Sequence, residues 1–120
     1  MAKILVTGAS GFIGSFIVEE ALNQGYTTYA GVRKTSSKRY LKDGRIHFFE
    51  IDFSSQSSIH AALVQFKNEV GKFDYIVHCA GVTKCRNKQE FIEVNYEQTK
   101  NFVDSLTALD MVPKQFLYIS

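Results

Sequence analysis

Apolar and polar positions follow two alternating periods along this chain. Ile4, Leu5 and Val6 form a short apolar run within Lys3–Thr7 that stops at Gly8, as a strand closed by a glycine turn does. Residues 12–24 then place Phe12, Ile13, Phe16, Ile17, Val18, Ala21 and Leu22 at helical spacing. Gly25 stands where a helix C-terminus takes a left-handed residue. Thr27–Val32, rich in Thr, Tyr and Val, predicts a second strand, and a polar stretch follows to Gly44. Ile46–Ile51 predicts the third strand. Serines between Asp52 and Ser58 suit a helix cap, after which Ile59, Leu63, Phe66 and Val70 mark one face of a second helix. Asp74–Cys79 predicts a fourth strand. Beyond a loop over 80–88, Phe91, Val94, Phe102, Leu106 and Leu109 trace a long helix that must stop before Pro113. Gln115–Ile119 predicts a fifth strand.

Strands that are apolar throughout, alternating with helices, are the mark of an α/β domain whose parallel sheet is covered on both faces. Right-handed crossovers make a doubly wound sheet with strand order 3-2-1-4-5 the expected topology. There is no internal repeat and no linker. The 120 residues suffice for one core and exclude a second complete domain. A content of 45% hydrophobic and 22% charged residues with a single Pro belongs to a globular domain, not a disordered or fibrous one. No apolar run is long enough for a membrane span or a signal segment, so the expected location is cytoplasmic, with no membrane partner.

Net charge is only +2, but its distribution is uneven. Arg33, Lys34, Lys38, Arg39, Lys42 and Arg45 face a single acid, Asp43, within one predicted loop. A nucleic-acid binder spreads its charge along a face and interleaves aromatics, so no nucleic-acid partner is expected, and the run taken alone reads as a solvated loop. Cys79 and Cys85 lack CxxC spacing, and His47, His60 and His78 are scattered singly. The expectation is reduced thiols and no metal site.

The sharpest motif is Thr7-Gly8-Ala9-Ser10-Gly11-Phe12-Ile13-Gly14, which falls at the first strand-to-helix turn. Such a triplet works there for a physical reason: Gly8 makes the turn, Gly11 lets backbone approach a pyrophosphate, and Gly14 lets helix and strand pack closely. The helix N-terminus then offers free N–H groups and a positive dipole end to an anion. The alternative is a tight turn with no ligand. A phosphate-loop ATPase is disfavoured, because no Gly-Lys-Ser/Thr follows to reach a terminal phosphate.

With Gly-x-x-Gly-x-x-Gly spacing, this stretch resembles the TGxxGxxG fingerprint of the short-chain dehydrogenase/reductase superfamily, in its extended, epimerase/dehydratase-like branch. Further likenesses follow in order along the whole chain: Asp52-Phe53, His78-Cys79-Ala80-Gly81, Asn95, and Phe116–Ser120 as the fifth strand. The resemblance implies a Rossmann-like NAD(P)-binding fold. It assigns Ser10, Gly11, Phe12 and Ile13 to the pyrophosphate, Asp52 and Phe53 to the adenine edge, and Cys79, Ala80 and Gly81 to backbone lining the cofactor. Asp52 is equally placed to cap the following helix, and the sequence leaves both roles open. Asn95, beside the Val94 stripe and in register with Thr99 and Phe102, is expected to face inward and to need hydrogen-bond partners.

NAD-preferring members of this branch carry an acid at the end of the second strand, where this chain has Val32, followed by Arg33 and Lys34. Valine cannot accept hydrogen bonds from ribose hydroxyls, whereas Arg33 offers planar donors to a phosphate and Lys34 with Lys38 adds positive potential. NADP is therefore the expected cofactor and NAD the second choice. The resemblance also implies a catalytic Ser or Thr one residue after Ser120 and a Tyr-x-x-x-Lys pair further downstream, so no catalytic residue is expected in these 120 positions. Tyr96 and Lys100 have that spacing but precede the fifth strand and point differently from Asn95 around their helix, which makes them a decoy. The expectation is the N-terminal, cofactor-binding half of a larger enzyme, truncated after the fifth strand, exposing apolar surface and an open sheet edge. Its substrate, a nucleotide sugar or a small carbonyl or alcohol, would bind through a C-terminal lobe absent from these residues, and a homodimer is possible. The competing expectation is a non-catalytic dinucleotide sensor or scaffold module.

Overall fold

In the computed structural model, which describes residues 1–79 and 87–119 apart from the Phe91 side chain, eight elements follow one another. They are β1 (Lys3–Thr7), α1 (Phe12–Asn23), β2 (Thr27–Val32), β3 (His47–Glu50), α2 (Gln56–Glu69), β4 (Tyr75–Cys79), α3 (Lys88–Ala108) and β5 (Gln115–Ile119). All pairings are parallel and the strand order is β3-β2-β1-β4-β5, as expected. The order reverses at β1, whose Thr7 lies opposite Gly31 of β2 on one side and His78 of β4 on the other. That reversal parts the connections leaving β1 and β4 and opens a crevice at the strands' C-terminal ends.

The sheet separates two apolar layers, and the two-residue period of β1 feeds both. Ile4 and Val6 join Val18, Ala21, Leu22, Ala30 and Val32 beneath α1, while Leu5 joins Ile59, Leu63, Phe66, Ile76, Phe102 and Leu106 beneath α2 and α3. Aromatic rings fill the second layer. Phe66 and Phe73 stack with centroids 4.0 Å apart, and Tyr29 and Phe49 each meet both rings edge-on at 5.1–5.7 Å. Edge-to-face rings satisfy one another's quadrupoles, so this packing adds specificity to the burial.

Several boundaries differ from the sequence expectation, each for a local reason. Gly14, Val18, Ala21 and Leu22 of α1 are buried against the sheet with Ile17 partly buried beside them, and Phe12, Ile13 and Phe16 are exposed. Helical rotation sets Phe12 and Phe16 opposite the Gly14–Val18 line, where their rings meet edge-on at 5.0 Å. Strand β3 is shorter than Ile46–Ile51, because the Ile46 N–H turns back to the Asp43 carbonyl, although Ile51 still donates to Val32. Val70 follows α2 as its C-cap and is exposed. The edge strands β3 and β5 are not covered on both faces, and Leu117 and Tyr118 of β5 are exposed, the apolar surface expected beside an open sheet edge. Helix α3 ends at Ala108, where Asp110 takes a left-handed φ of 55° and Met111 N–H reaches back to Leu106, well before Pro113. Gly25 has the left-handed φ expected of it, 87°. No helix among the described residues is long and apolar enough to cross a membrane.

Among the described glycines, Gly14 has the least room for a side chain. A Cβ there would fall 2.2 Å from the Gly8 carbonyl oxygen and 2.9 Å from Ala9 Cα, both backbone. At Gly44, by contrast, a Cβ would meet nothing within 4 Å. Gly14→Ala therefore destabilises the chain by on the order of 1–3 kcal/mol, while Gly44→Ala stays within about 0.5 kcal/mol. Urea unfolding of the two variants side by side checks this, and equal midpoints would contradict the packing described.

Candidate functional site

The turn from β1 into α1 is built by backbone crowding. Gly8 has φ of 61°, and a side chain there would place Cβ 2.8 Å from the Cys79 carbonyl oxygen, so β1, β4 and the turn touch main chain to main chain. Gly11 N–H donates to the Gly8 carbonyl at 3.1 Å and Ala9 N–H to Gly31 at 3.2 Å, pinning the loop to β2. On its outer side the loop is open: a Cβ at Gly11 would meet only the Gly8 oxygen, at 3.4 Å. Gly11 is also the N-cap of α1, with no side-chain cap bond and no acid in the first turn. The other two helices are capped from within, α2 by Ser55 and α3 by Asn87, which accepts the Glu90 N–H at 2.9 Å. The α1 N-terminus thus keeps unneutralised N–H groups facing open space, which is what an anion needs.

That space is a cleft of about 610 Å³ across the C-terminal ends of the strands. Gly8, Ser10, Gly11, Phe12, Ile13 and Gly14 form one wall. Arg33, Asp52 and Phe53 line it from β2 and the loop after β3, and Cys79 and Asn95 from β4 and α3. These sequence-predicted residues are brought together. Lys34 does not line the cleft; it is exposed on the loop beside it. Ala80 and Gly81 lie outside the described residues, as do Cys85 and Ser120. Val32, Ser36, Ser54, His78, Gln98 and Thr99 also line the cleft and were missed as site residues. For Thr99 and Gln98 the available signal was helical register with Asn95, and for Ser36 a position three residues beyond Arg33 at a strand end.

The two roles left open for Asp52 separate here. Ser55, not Asp52, caps α2, while Asp52 Oδ1 accepts both the N–H and the hydroxyl of Ser54, at 3.0 and 2.7 Å. Those bonds hold its carboxyl below the usual range, and the nearby Arg33 charge adds to the effect. Phe53 lies edge-on to His78 and Phe102, with centroids at 5.0 and 4.9 Å.

Behind this wall, Thr7 joins the two central strands. Cys79 N–H donates to Thr7 Oγ1 at 3.1 Å, and the hydroxyl meets His78 Nδ1 at 2.6 Å. Rings of Phe53, Phe102, Phe116 and Tyr118 surround the imidazole. Burial there pushes the His78 pKa down to about 4, so the ring is neutral at neutral pH. Burial likewise pushes the Cys79 thiol up, which makes it a poor nucleophile.

Asn95 is buried, only 6% exposed, and faces inward as expected, but among the described residues its Nδ2 has no hydrogen-bond partner, nor has the buried Oγ1 of Thr99. Two unpaired buried polar atoms lining one cleft are an observation in favour of a bound polar group there. Tyr96 and Lys100 point elsewhere: Tyr96 is exposed, and Lys100 Nζ pairs with Asp104 at 2.9 Å. In the basic loop Lys38 lies over the Phe48 ring at 4.6 Å, Arg39 donates to Tyr40 Oη at 2.7 Å and Arg45 pairs with Asp43 at 2.8 Å. Arg33 is exposed at the cleft, its N–H donating to Ser36 Oγ at 3.0 Å.

Among known proteins, residues 4–120 match the NAD dependent epimerase/dehydratase family. The chain is 31% identical over 104 residues to the sterol-4-alpha-carboxylate 3-dehydrogenase, decarboxylating, of Bos taurus, covering 86% of this chain and 26% of that protein. Its structure is similar to the UDP-Glc/GlcNAc 4-epimerase of Campylobacter jejuni, with a TM-score of 0.77 and 26% identity over 98% of this chain and 36% of that one. A short-chain dehydrogenase/reductase from Burkholderia multivorans with bound NADP shares the fold, with a TM-score of 0.72 and 20% identity over 90% of this chain and 53% of that one. The chain spans about 30% or less of the length of the first curated relatives it matches.

The Thr7–His78 pair has a pH signature. The unfolded chain protonates His78 near 6.5, but the folded chain resists until about pH 4, so stability falls as pH drops through that window and levels off below it. The total loss is about 3 kcal/mol. Asp52 and Asp74, held below their ordinary 3.8, add losses only at lower pH. His78→Asn, which keeps an acceptor close to the Nδ1 position, removes the slope between about pH 4 and 6.5 in urea unfolding. The same slope in both proteins would contradict the assignment.

Proposed function

This chain belongs to the NAD dependent epimerase/dehydratase family, and we propose that it is the dinucleotide-binding part of an NADP-preferring oxidoreductase or epimerase/dehydratase. The observation that carries this reading is the uncapped, acid-free N-terminus of α1, which opens through Gly8, Gly11 and Gly14 into the cleft. A pyrophosphate there receives the backbone N–H groups of Phe12 and Ile13, the Ser10 hydroxyl and the positive end of the helix dipole, with Gly11 leaving room for its approach. No side chain has to move away first, because none caps the helix. Asp52, whose carboxylate is already fixed by Ser54, is placed to accept from an adenine amino group, with Phe53 beside it. Cys79, with Ala80 and Gly81 after it, would present backbone along the cofactor, and Asn95 would complete its amide there.

Cofactor choice rests on the end of β2. Val32 is apolar and buried, so nothing at that position accepts from the ribose hydroxyls that an acid would hold. Arg33 stands next to it at the mouth of the cleft, with a guanidinium suited to a 2′-phosphate, and exposed Lys34 adds charge. When bound, the nicotinamide supplies hydride transfer. The substrate is a nucleotide sugar or another molecule with an alcohol or carbonyl carbon, in keeping with the sterol carboxylate and UDP-sugar named for the relatives. On this reading the residues that protonate and deprotonate it lie outside these 120, and Tyr96 with Lys100, which face away from the cleft, take no part.

Calorimetric titration with NADPH and NADH tests the reading. NADPH binds more tightly to the wild-type chain, and Arg33→Ala weakens NADPH by about 10- to 100-fold, the range for a lost charge-assisted hydrogen bond. The same change alters NADH affinity by less than about threefold. Equal affinity of the wild type for the two cofactors would overturn the NADP preference, and binding of neither would overturn the dinucleotide reading.

A further inference from the structure

Asn95 and Thr99 stand one turn apart on α3, both line the cleft, and Nδ2 of the first and Oγ1 of the second are buried without a hydrogen-bond partner among the described residues. The same helix shows what its threonines do when nothing else is required of them. Thr107 donates its hydroxyl to the Val103 carbonyl four residues back, at 2.9 Å. Thr99 makes no such bond to Asn95. Its hydroxyl is instead held with its bonding capacity unused, next to an amide in the same condition. An unpaired buried polar group destabilises the fold, and two together at one place in a cleft point to a group that arrives later.

The pair's chemistry restricts what that group is. Nδ2 only donates, and the Thr99 hydroxyl has a proton to give, so the pair offers two donors one helical turn apart. Cβ atoms at this spacing are about 5–6 Å apart, and an oxygen between the two side chains can accept from both at ordinary length, about 2.8–3.0 Å. We propose that Thr99 is a cofactor-binding residue, acting with Asn95 to hold one acceptor oxygen of the bound dinucleotide. A ribose hydroxyl and the nicotinamide carboxamide carbonyl both present such an oxygen. The inference rests on the dinucleotide reading above and adds to it a residue that neither the glycine motif nor the β2 terminus reveals.

The test uses Thr99→Val, which keeps the shape and helix propensity and removes only the hydroxyl. Without ligand, the variant unfolds at a higher temperature than wild type, because an unpaired buried group is gone. NADPH binding weakens by about five- to tenfold, the size of one hydrogen bond. Thr99→Ser, which restores the hydroxyl, binds NADPH within about twofold of wild type. Repeating the titration with the 2′-phosphate of ADP-ribose, which lacks the nicotinamide, places the oxygen: a loss retained there assigns it to a ribose, and a loss seen only with NADPH assigns it to the carboxamide. A lower unfolding temperature for Thr99→Val with unchanged affinity would overturn the inference, since the hydroxyl would then be satisfied by water in the free protein. A higher unfolding temperature with unchanged affinity would overturn it as well. Both outcomes differ from failure of the dinucleotide reading, in which the wild type itself does not bind.

Discussion

Three stretches of main chain meet at Gly8 with no volume left between them. The end of β1, the end of β4 and the first turn of α1 approach so closely that a methyl group at Gly8 would press on the Cys79 carbonyl at 2.8 Å, and one at Gly14 on the Gly8 carbonyl at 2.2 Å. This contact sets the angle at which α1 leaves the sheet. It holds Gly14, Val18, Ala21 and Leu22 against Ile4, Val6, Ala30 and Val32, and it points the N-terminus of the helix at the gap where the strand order reverses. Fold and site therefore share one cause. A larger residue at either glycine would move the helix, and with it the N–H groups that face the cleft.

The two ends of the sheet are finished in opposite ways. At the N-terminal ends, Asp74 ties the strands together: its carboxylate accepts the Lys3 N–H at 2.8 Å, its own N–H donates to Lys3, and its carbonyl accepts from Lys114. At the C-terminal ends the uncapped α1 N-terminus, Asn95 and Thr99 are left with unused hydrogen-bonding capacity facing one cleft. Beneath the opening, the chain avoids the same expense. His78 is kept neutral in its ring of aromatics, and Thr7 spends its hydroxyl on both His78 and Cys79. Among the described residues, the buried unpartnered side-chain atoms are thus those of Asn95 and Thr99, on the face a ligand can reach.

The order of elements was legible in the sequence because it depends on periodicity, and right-handed crossovers between the five apolar runs then imply the observed strand order. The glycine turn was legible because its spacing has a steric reason at Gly8 and Gly14. Burial within elements was less so. Phe12, Ile13 and Phe16 read as core by composition, yet helical rotation turns them outward, since α1 is apolar around most of its circumference near its start. By contrast, the exposure of Leu117 and Tyr118 on the edge strand β5 matches the apolar surface expected beside an open sheet edge. In the cleft, Thr99, Ser36 and His78 escaped notice because each is an ordinary polar residue whose role comes from what lies across from it: His78 from Thr7, Thr99 from the cleft, Ser36 from the backbone of Arg33.

The central claim is that the N–H groups at the start of α1 receive the phosphates of a dinucleotide. Amide resonances of the isotopically labelled chain, followed during titration with NADP⁺, test it most directly. The account predicts that the largest shifts fall on Phe12 and Ile13, with smaller ones at Arg33 and Asp52, and none at Asp74 or Lys114 at the opposite end of the sheet. Shifts confined to the basic loop over 38–45, with the α1 amides unmoved at saturation, would contradict it.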